Sequence, residues 1–245
     1  MSQQKSPTEK RIAALAGWPI LRYARITIEL TSSLHVGTGS DYDDSDAGIV
    51  LDANGLATIP GSSIKGVLRH AYHQFQSGES SLPSADEIFG TPVEAGNASS
   101  SRGGRMAVTW GHVHDSKDIP VDRPMKTADI AGDPVLRLAS KPGLRDHVRL
   151  DHRGTAVRRS KFDELCAAPG LRFTFAIEFR GGVETGKGAD SRDSAAWDAL
   201  LTLFGDPLFR FGGKNRRGYG AFEIVALQHR IFRLDGLTAS PDHWK

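Results

Sequence analysis

Residues 34–76 read LHVGTGSDYDDSDAGIVLDANGLATIPGSSIKGVLRHAYHQFQ, and the rest of the chain is organised around them. Pro60-Gly61-Ser62-Ser63 is a helix-start signal, because a serine hydroxyl can cap the free backbone N–H groups of a first turn. Ile64, Val67, Leu68, Ala71, Tyr72 and Phe75 then recur at three- and four-residue spacing, which predicts an amphipathic helix running to Gln76. Ser62, Lys65 and Arg69 fall on another face, beside the positive end of the helix dipole, a combination suited to a phosphate. The loop before it carries Asp41, Asp43, Asp44 and Asp46. Carboxylates able to hold a metal or activate a hydroxyl thus stand close along the chain to cations able to hold a phosphate, a pairing that points to phosphodiester chemistry. A helix–loop–helix calcium site is excluded, since counting from Asp41 places Asp46 where glycine is needed and Asp52 where glutamate is needed.

Outward from this stretch, residues 22–31 alternate as a strand, with Ile26, Ile28 and Leu30 on one face. A short strand is expected at 49–52, followed by a turn at Asn54-Gly55. Residues 79–104 are polar and end in AGNASSSRGG, a flexible-loop signature. Further strands are expected at 106–113, 171–179 and 219–228, and a second helix at 194–204. Residues 116–145 show scattered prolines and little periodicity, and 147–157 suggest a hairpin around Arg153-Gly154. The order strand, helix, strand, insertion, strand, helix, strand predicts an α+β fold with a ferredoxin-like βαββαβ core, an antiparallel sheet with helices on one face. The chain divides into a tail over 1–20, one domain over 21–230 with insertions at about 79–104 and 114–161, and a second tail over 231–245.

At 245 residues the chain can bury a real core as one elaborated domain. Thirty-one basic residues against 29 acidic ones leave a net charge of +2, so any nucleic-acid signal must come from distribution. Residues 141–161 hold seven cations and two acids. The single cysteine, Cys166, excludes an intrachain disulfide and a multi-cysteine zinc site. No apolar run is long enough for a membrane span, and the apolar centre of the first residues is too short for a signal peptide. A soluble, cytoplasmic protein is the expectation.

Two further motifs carry chemistry. Residues 211–222, FGGKNRRGYGAF, combine four glycines that allow close backbone approach with Lys214, Arg216 and Arg217 at the tip. Residues 145–161, RDHVRLDHRGTAVRRSK, form a basic hairpin whose Arg145, Arg149, Arg158 and Arg159 can meet phosphates. Taken alone, each is an ordinary surface loop or hairpin. His112, His114, His147 and His152 lack the spacing of a zinc site, and His35 beside the acidic loop is a candidate acid or base. Residues 181–188, GGVETGKG, imitate a phosphate loop, but Gly188 stands where Ser or Thr must hold Mg²⁺.

LHVGTG, the following aspartates, GLATIPGSSIKGVLR and FGGKNRRGYGAFEI occur in an order that resembles the RAMP superfamily of CRISPR-associated proteins. Within it, the chain is most similar to the backbone subunit of type III or type III-like effector complexes, over roughly residues 24–226. The resemblance implies a guide-RNA-binding subunit that assembles with copies of itself and other effector subunits and cleaves complementary target RNA. It places Asp46 on the catalytic, metal-holding aspartate, with Asp44 in reserve, and implies Mg²⁺ or Mn²⁺ as a transient cofactor. It also implies that Lys214, Asn215, Arg216 and Arg217 grip the sugar-phosphate backbone of the guide without reading bases, and that the basic hairpin belongs to a thumb wedged into the guide–target duplex. Three alternatives stay open at this level: a non-catalytic guide-RNA scaffold, a metal-independent RAMP endoribonuclease using a histidine such as His35, and a nucleotide binder built on 181–187.

Overall fold

In strand β1, Ile20–Leu30, every second residue from Ile20 to Leu30 is buried, and the residues between them are partly or fully exposed. That alternation fixes which side of the sheet carries the core. The computed structural model describes residues 18–38, 48–76, 81–91, 103–182 and 189–233. Its elements are β1, helix α1 (Gly61–Gln76), helix α2 (Ala85–Phe89), β2 (Met106–Val108), β3 (His112–Val113), helices α3 (Thr127–Gly132) and α4 (Pro134–Ala139), β4 (Gly143–Leu150), β5 (Ala156–Cys166), β6 (Arg172–Gly181), helix α5 (Ala189–Leu203), a 3₁₀ turn at Asn215–Arg217, and β7 (Phe222–Arg233).

The main sheet is antiparallel in the order β2-β6-β1-β7, with β3 also paired to β6. Chain order and sheet order differ because two connections jump over a strand: β1 reaches β2 through α1, and β6 reaches β7 through α5. Ile64, Leu68 and Tyr72 of α1 share one buried cluster with Trp197 and Leu200 of α5 and with Ala24, Ile26, Ile28 and Leu30 of β1. Both long helices therefore cover the same face of the sheet. An extra residue in β7 opposite Thr27/Ile28 shifts the register there.

The mixed α+β class with antiparallel sheets is as the sequence predicts, but several elements differ. Residues 49–52 make only isolated bridges, Gly37 with Ile49 and Leu51 with Ala57. The Asp52 carboxylate accepts from the Asn54 and Leu56 amides, each at 2.8 Å, and turns the chain before a ladder can extend. The strand expected at 106–113 is split in two. Gly111 leaves the sheet to exchange backbone bonds with Ile59, while the Thr109 hydroxyl accepts the Ala176 amide at 2.8 Å.

The expected irregular insertion contains α3 and α4. Asp133 caps α4 through the Val135 and Leu136 amides, and Pro134 fits a first-turn position where no N–H is needed. Part of the loop expected at 79–104 is α2, capped by Ser84. The hairpin is longer than the spacing implied, pairing Gly143 through Leu150 with Ala156 through Cys166. The last strand begins and ends later than expected, running through Arg233 into the stretch taken as a tail. No helix among the described residues is long and apolar enough to cross a membrane.

Candidate nucleic-acid interface

Three segments far apart in sequence converge on residues 33–37, just after β1. The base of the β4–β5 hairpin is fixed by paired backbone bonds between Leu34 and Ala167, at 3.0 and 2.8 Å. His35 adds a ring bond from Nδ1 to the Leu165 carbonyl at 2.8 Å. From another side, the glycine-rich loop donates its Gly213 amide to the His35 carbonyl and its Gly220 amide to the Ser33 carbonyl, each at 2.9 Å. Gly212 has φ +74°, and a Cβ built there would collide with the His35 carbonyl oxygen, so only glycine permits this approach. Finally, Gly37 bridges Ile49. That bridge closes the base of the 39–47 loop, which carries the four predicted carboxylates and lies outside the described residues.

Between hairpin and glycine-rich loop sits a carboxylate that sequence reasoning missed. Glu164 of β5 is completely buried. It contacts the Lys214 ammonium, Nη1 of Arg217 at 3.3 Å and Nε2 of His147 at 2.6 Å. The His147 ring stacks on Phe162 at 5.2 Å between centroids and meets the Tyr219 hydroxyl at 3.0 Å, while the Arg217 guanidinium lies 4.9 Å over the Phe162 ring. Burial, with the cations of Arg217, Lys214 and Arg145 nearby, holds the His147 imidazole below its ordinary pKa. Glu164, 2.6 Å from Nε2, acts in the opposite sense. Burial, then Arg217, also lowers the Lys214 ammonium, a shift that contact with Glu164 opposes.

The predicted residues distribute unevenly around this cluster. Half-buried Lys214 and exposed Arg217 both reach the Glu164 carboxylate, and Asn215 and Arg216 are exposed on the same 3₁₀ turn as Arg217. Lys214 itself takes φ +61°, which folds the tip back toward the hairpin. Arg145 is exposed and donates to the Ser33 hydroxyl at 3.0 Å, joining the hairpin to the same hub. Arg149 and Arg158 are exposed farther along the hairpin. Ser62, Lys65 and Arg69 occupy a different neighbourhood. Ser62 is exposed, but Arg69 is bound to the Asp86 carboxylate at 2.5 Å and the Gly90 carbonyl at 2.8 Å, so it braces α1 against α2. Burial and then Arg69 lower the Lys65 ammonium. The first turn of α1 presses Gly61 against the Val108 and Thr109 carbonyls.

His35 does not suit an acid or base: it is buried, its Nδ1 holds the hairpin base, and burial leads the causes that lower its pKa. Residues 183–188, including Lys187, lie outside the described residues, as do Asp44 and Asp46. Among the described residues, no three His, Cys, Asp or Glu side chains are grouped to hold a metal. The clustered carboxylates of the 39–47 loop are hard oxygen donors, a set that fits Mg²⁺ or Mn²⁺. Glu164 left one trace in the sequence: Phe162, Glu164 and Cys166 alternate on the inward face of a strand, where a lone carboxylate needs a partner.

These features define a mixed α+β protein in which a basic hairpin and a glycine-rich cationic loop dock on residues 33–37. A family model described as the RAMP superfamily matches residues 27–223. The chain therefore belongs to the RAMP superfamily of CRISPR-associated proteins. No curated protein matches it.

Proposed function

We propose that this protein is the backbone subunit of a type III-like CRISPR effector complex, binding guide RNA and cutting the complementary target RNA. Membership of the superfamily supports RNA binding within a CRISPR complex. The sheet order, with two strand-skipping helical connections on one face, supports a ferredoxin-like core. The observation that carries the reading is the convergence on residues 33–37. The hairpin and the glycine-rich loop both bond to residues 33–37, which lead directly into the acidic segment, and this supports a reading in which RNA held by the first two comes near the third.

In this reading Arg216, Asn215 and Arg145 meet phosphates and sugars, which fixes RNA position without reading sequence. Arg149 and Arg158 extend the basic surface along the thumb-like hairpin toward the paired target. Asp46, with Asp44 in reserve, would hold a divalent ion, which would supply positive charge to the phosphate in the transition state. Cleavage proceeds by in-line attack of a ribose 2′-oxygen on the neighbouring phosphorus. The 2′-proton passes to a base, Asp46 being the candidate, and the bond from phosphorus to the 5′-oxygen breaks. That oxygen takes up a proton, leaving a cyclic phosphate and a 5′-hydroxyl.

The test is cleavage of labelled, guide-complementary RNA by the assembled complex in Mg²⁺, comparing wild type, Asp46→Ala and wild type with EDTA. Regular cuts that vanish in EDTA and fall about 10²–10⁴-fold in Asp46→Ala, with binding retained, support the reading. Tight binding without cutting by wild type makes the chain a non-catalytic scaffold. Cutting that persists in EDTA identifies a metal-independent nuclease instead.

A further inference from the structure

The cluster around Glu164 divides the cations of the glycine-rich tip into two kinds. Lys214 and Arg217 converge on one fully buried carboxylate, which also accepts from His147. Arg217 is exposed but sets one guanidinium nitrogen on the carboxylate, whereas Arg216, between them in sequence and also exposed, makes no ion pair in the cluster. A buried carboxylate is costly unless its partners satisfy it, so Lys214 and Arg217 are held by the protein's own charge. Three of the four groups come from beyond the hairpin strand that carries Glu164: Lys214 and Arg217 from the loop, His147 from the neighbouring strand. Phe162 ties the same pieces together, since its ring contacts both His147 and the Arg217 guanidinium.

We propose that Glu164 is a positioning residue for RNA binding: it engages Lys214 and Arg217 in ion pairs, docks the hairpin on the glycine-rich loop, and leaves Arg216 and Arg145 as the cations that meet phosphate there. This rests on the RNA-binding reading above. It reverses the simplest expectation from the sequence, in which all three tip cations grip the RNA alike. It also makes hairpin and loop one unit whose relative orientation is set before RNA arrives, so binding pays little ordering entropy.

The salt dependence of binding separates the two kinds of cation, because each contacted phosphate in a single strand contributes about 0.7 to the slope of log K against log salt. The probe is a fluorescein-labelled single-stranded RNA of mixed sequence. Arg216→Gln lowers the slope by about 0.7, Lys214→Gln leaves it unchanged, and Glu164→Gln raises it by up to about 1.4 as two cations are released. A Lys214→Gln slope that falls as far as that of Arg216→Gln overturns the proposal. Hydrogen exchange without RNA provides a second measurement that does not depend on the RNA reading. In Glu164→Gln, amides of 143–147, 162–166 and 212–219 gain exchange together, while those of α1 and β1 do not. Unchanged exchange in those three segments also overturns the proposal. If wild type binds no RNA while the three segments still loosen together, the RNA-binding reading fails and the docking role of Glu164 stands. If Glu164→Gln does not fold, the comparison of Lys214→Gln with Arg216→Gln decides.

Discussion

The amide of Gly213 donates to the carbonyl of His35 at 2.9 Å, and this single bond brings the glycine-rich loop against the segment from which the acidic loop departs. The two residues are separated by most of the chain. Their contact is made possible by Gly212, whose positive φ and missing Cβ let one backbone lie on another. The docking of the glycine-rich loop on residues 33–37 is therefore built from main chain.

Substituting that glycine tests the docking. Gly212→Ala places a methyl group against the His35 carbonyl in a backbone conformation that alanine resists. The expected loss is about 1–3 kcal/mol of stability, read as a lower thermal midpoint, with RNA affinity falling at the same time. Gly213→Ala, where an added Cβ meets open space, should be nearly silent.

Acidification should loosen the same region. His147 and His35 both have folded pKa values below 6.5, with burial as the leading cause. The unfolded chain therefore takes up protons that the folded chain resists. The stability these groups contribute is fully present above about pH 6.5 and is lost as pH falls through their folded values. The thermal midpoint should drop between pH 7.5 and 5, and His147→Gln should flatten part of that dependence. A midpoint that rises on acidification over this range would contradict the lowered pKa of His147.

Stripping Glu164 of its cations should cost more than losing either one. With Lys214→Gln and Arg217→Gln combined, the carboxylate stays fully buried with only the His147 imidazole beside it. A penalty of about 3–5 kcal/mol is expected for such an uncompensated charge, and chemical denaturation of the double variant against each single variant measures it. Adding Glu164→Gln to the double variant should restore a large part of the loss.

A site away from the interface provides a control. The Asp133 carboxylate, held down to a pKa of about 2 by the Ser116 hydroxyl and amide and by the Leu136 and Val135 amides against the opposing effect of burial, caps α4. Asp133→Ala should cost about 1 kcal/mol, a shift of roughly 2–4 °C in thermal midpoint for a chain of this size. RNA binding should be unaffected.

Much of the frame was legible because its signals are local. The period of Ile64, Leu68 and Tyr72 marks α1, and the alternation of Ile26, Ile28 and Leu30 marks β1. Helices α3 and α4 were missed because six residues are too few to show a period. Their evidence was the Asp133-Pro134 cap, which is easily taken for a loop. The hairpin extends beyond what the sequence pattern signals because Asp146, Lys161, Asp163 and Glu164 interrupt its apolar alternation. Two of these, Asp146 and Lys161, pair with each other across the strands at 3.3 Å. Glu164 could not be assigned from sequence, since Lys214 and Arg217 lie some 50 positions away and only the fold brings them together. The same distance hid the division of the tip cations into the two that ion-pair with Glu164 and the one that does not.

The most direct measurement is the hydrogen-exchange footprint of a guide-length RNA on the full chain. Protection of 33–37, 143–149 and 212–217 together is expected, with the α1–α2 surface around Arg69 and Asp86 unchanged. Protection confined to that α1–α2 surface, with the three converging segments exchanging as they do without RNA, would contradict this expectation.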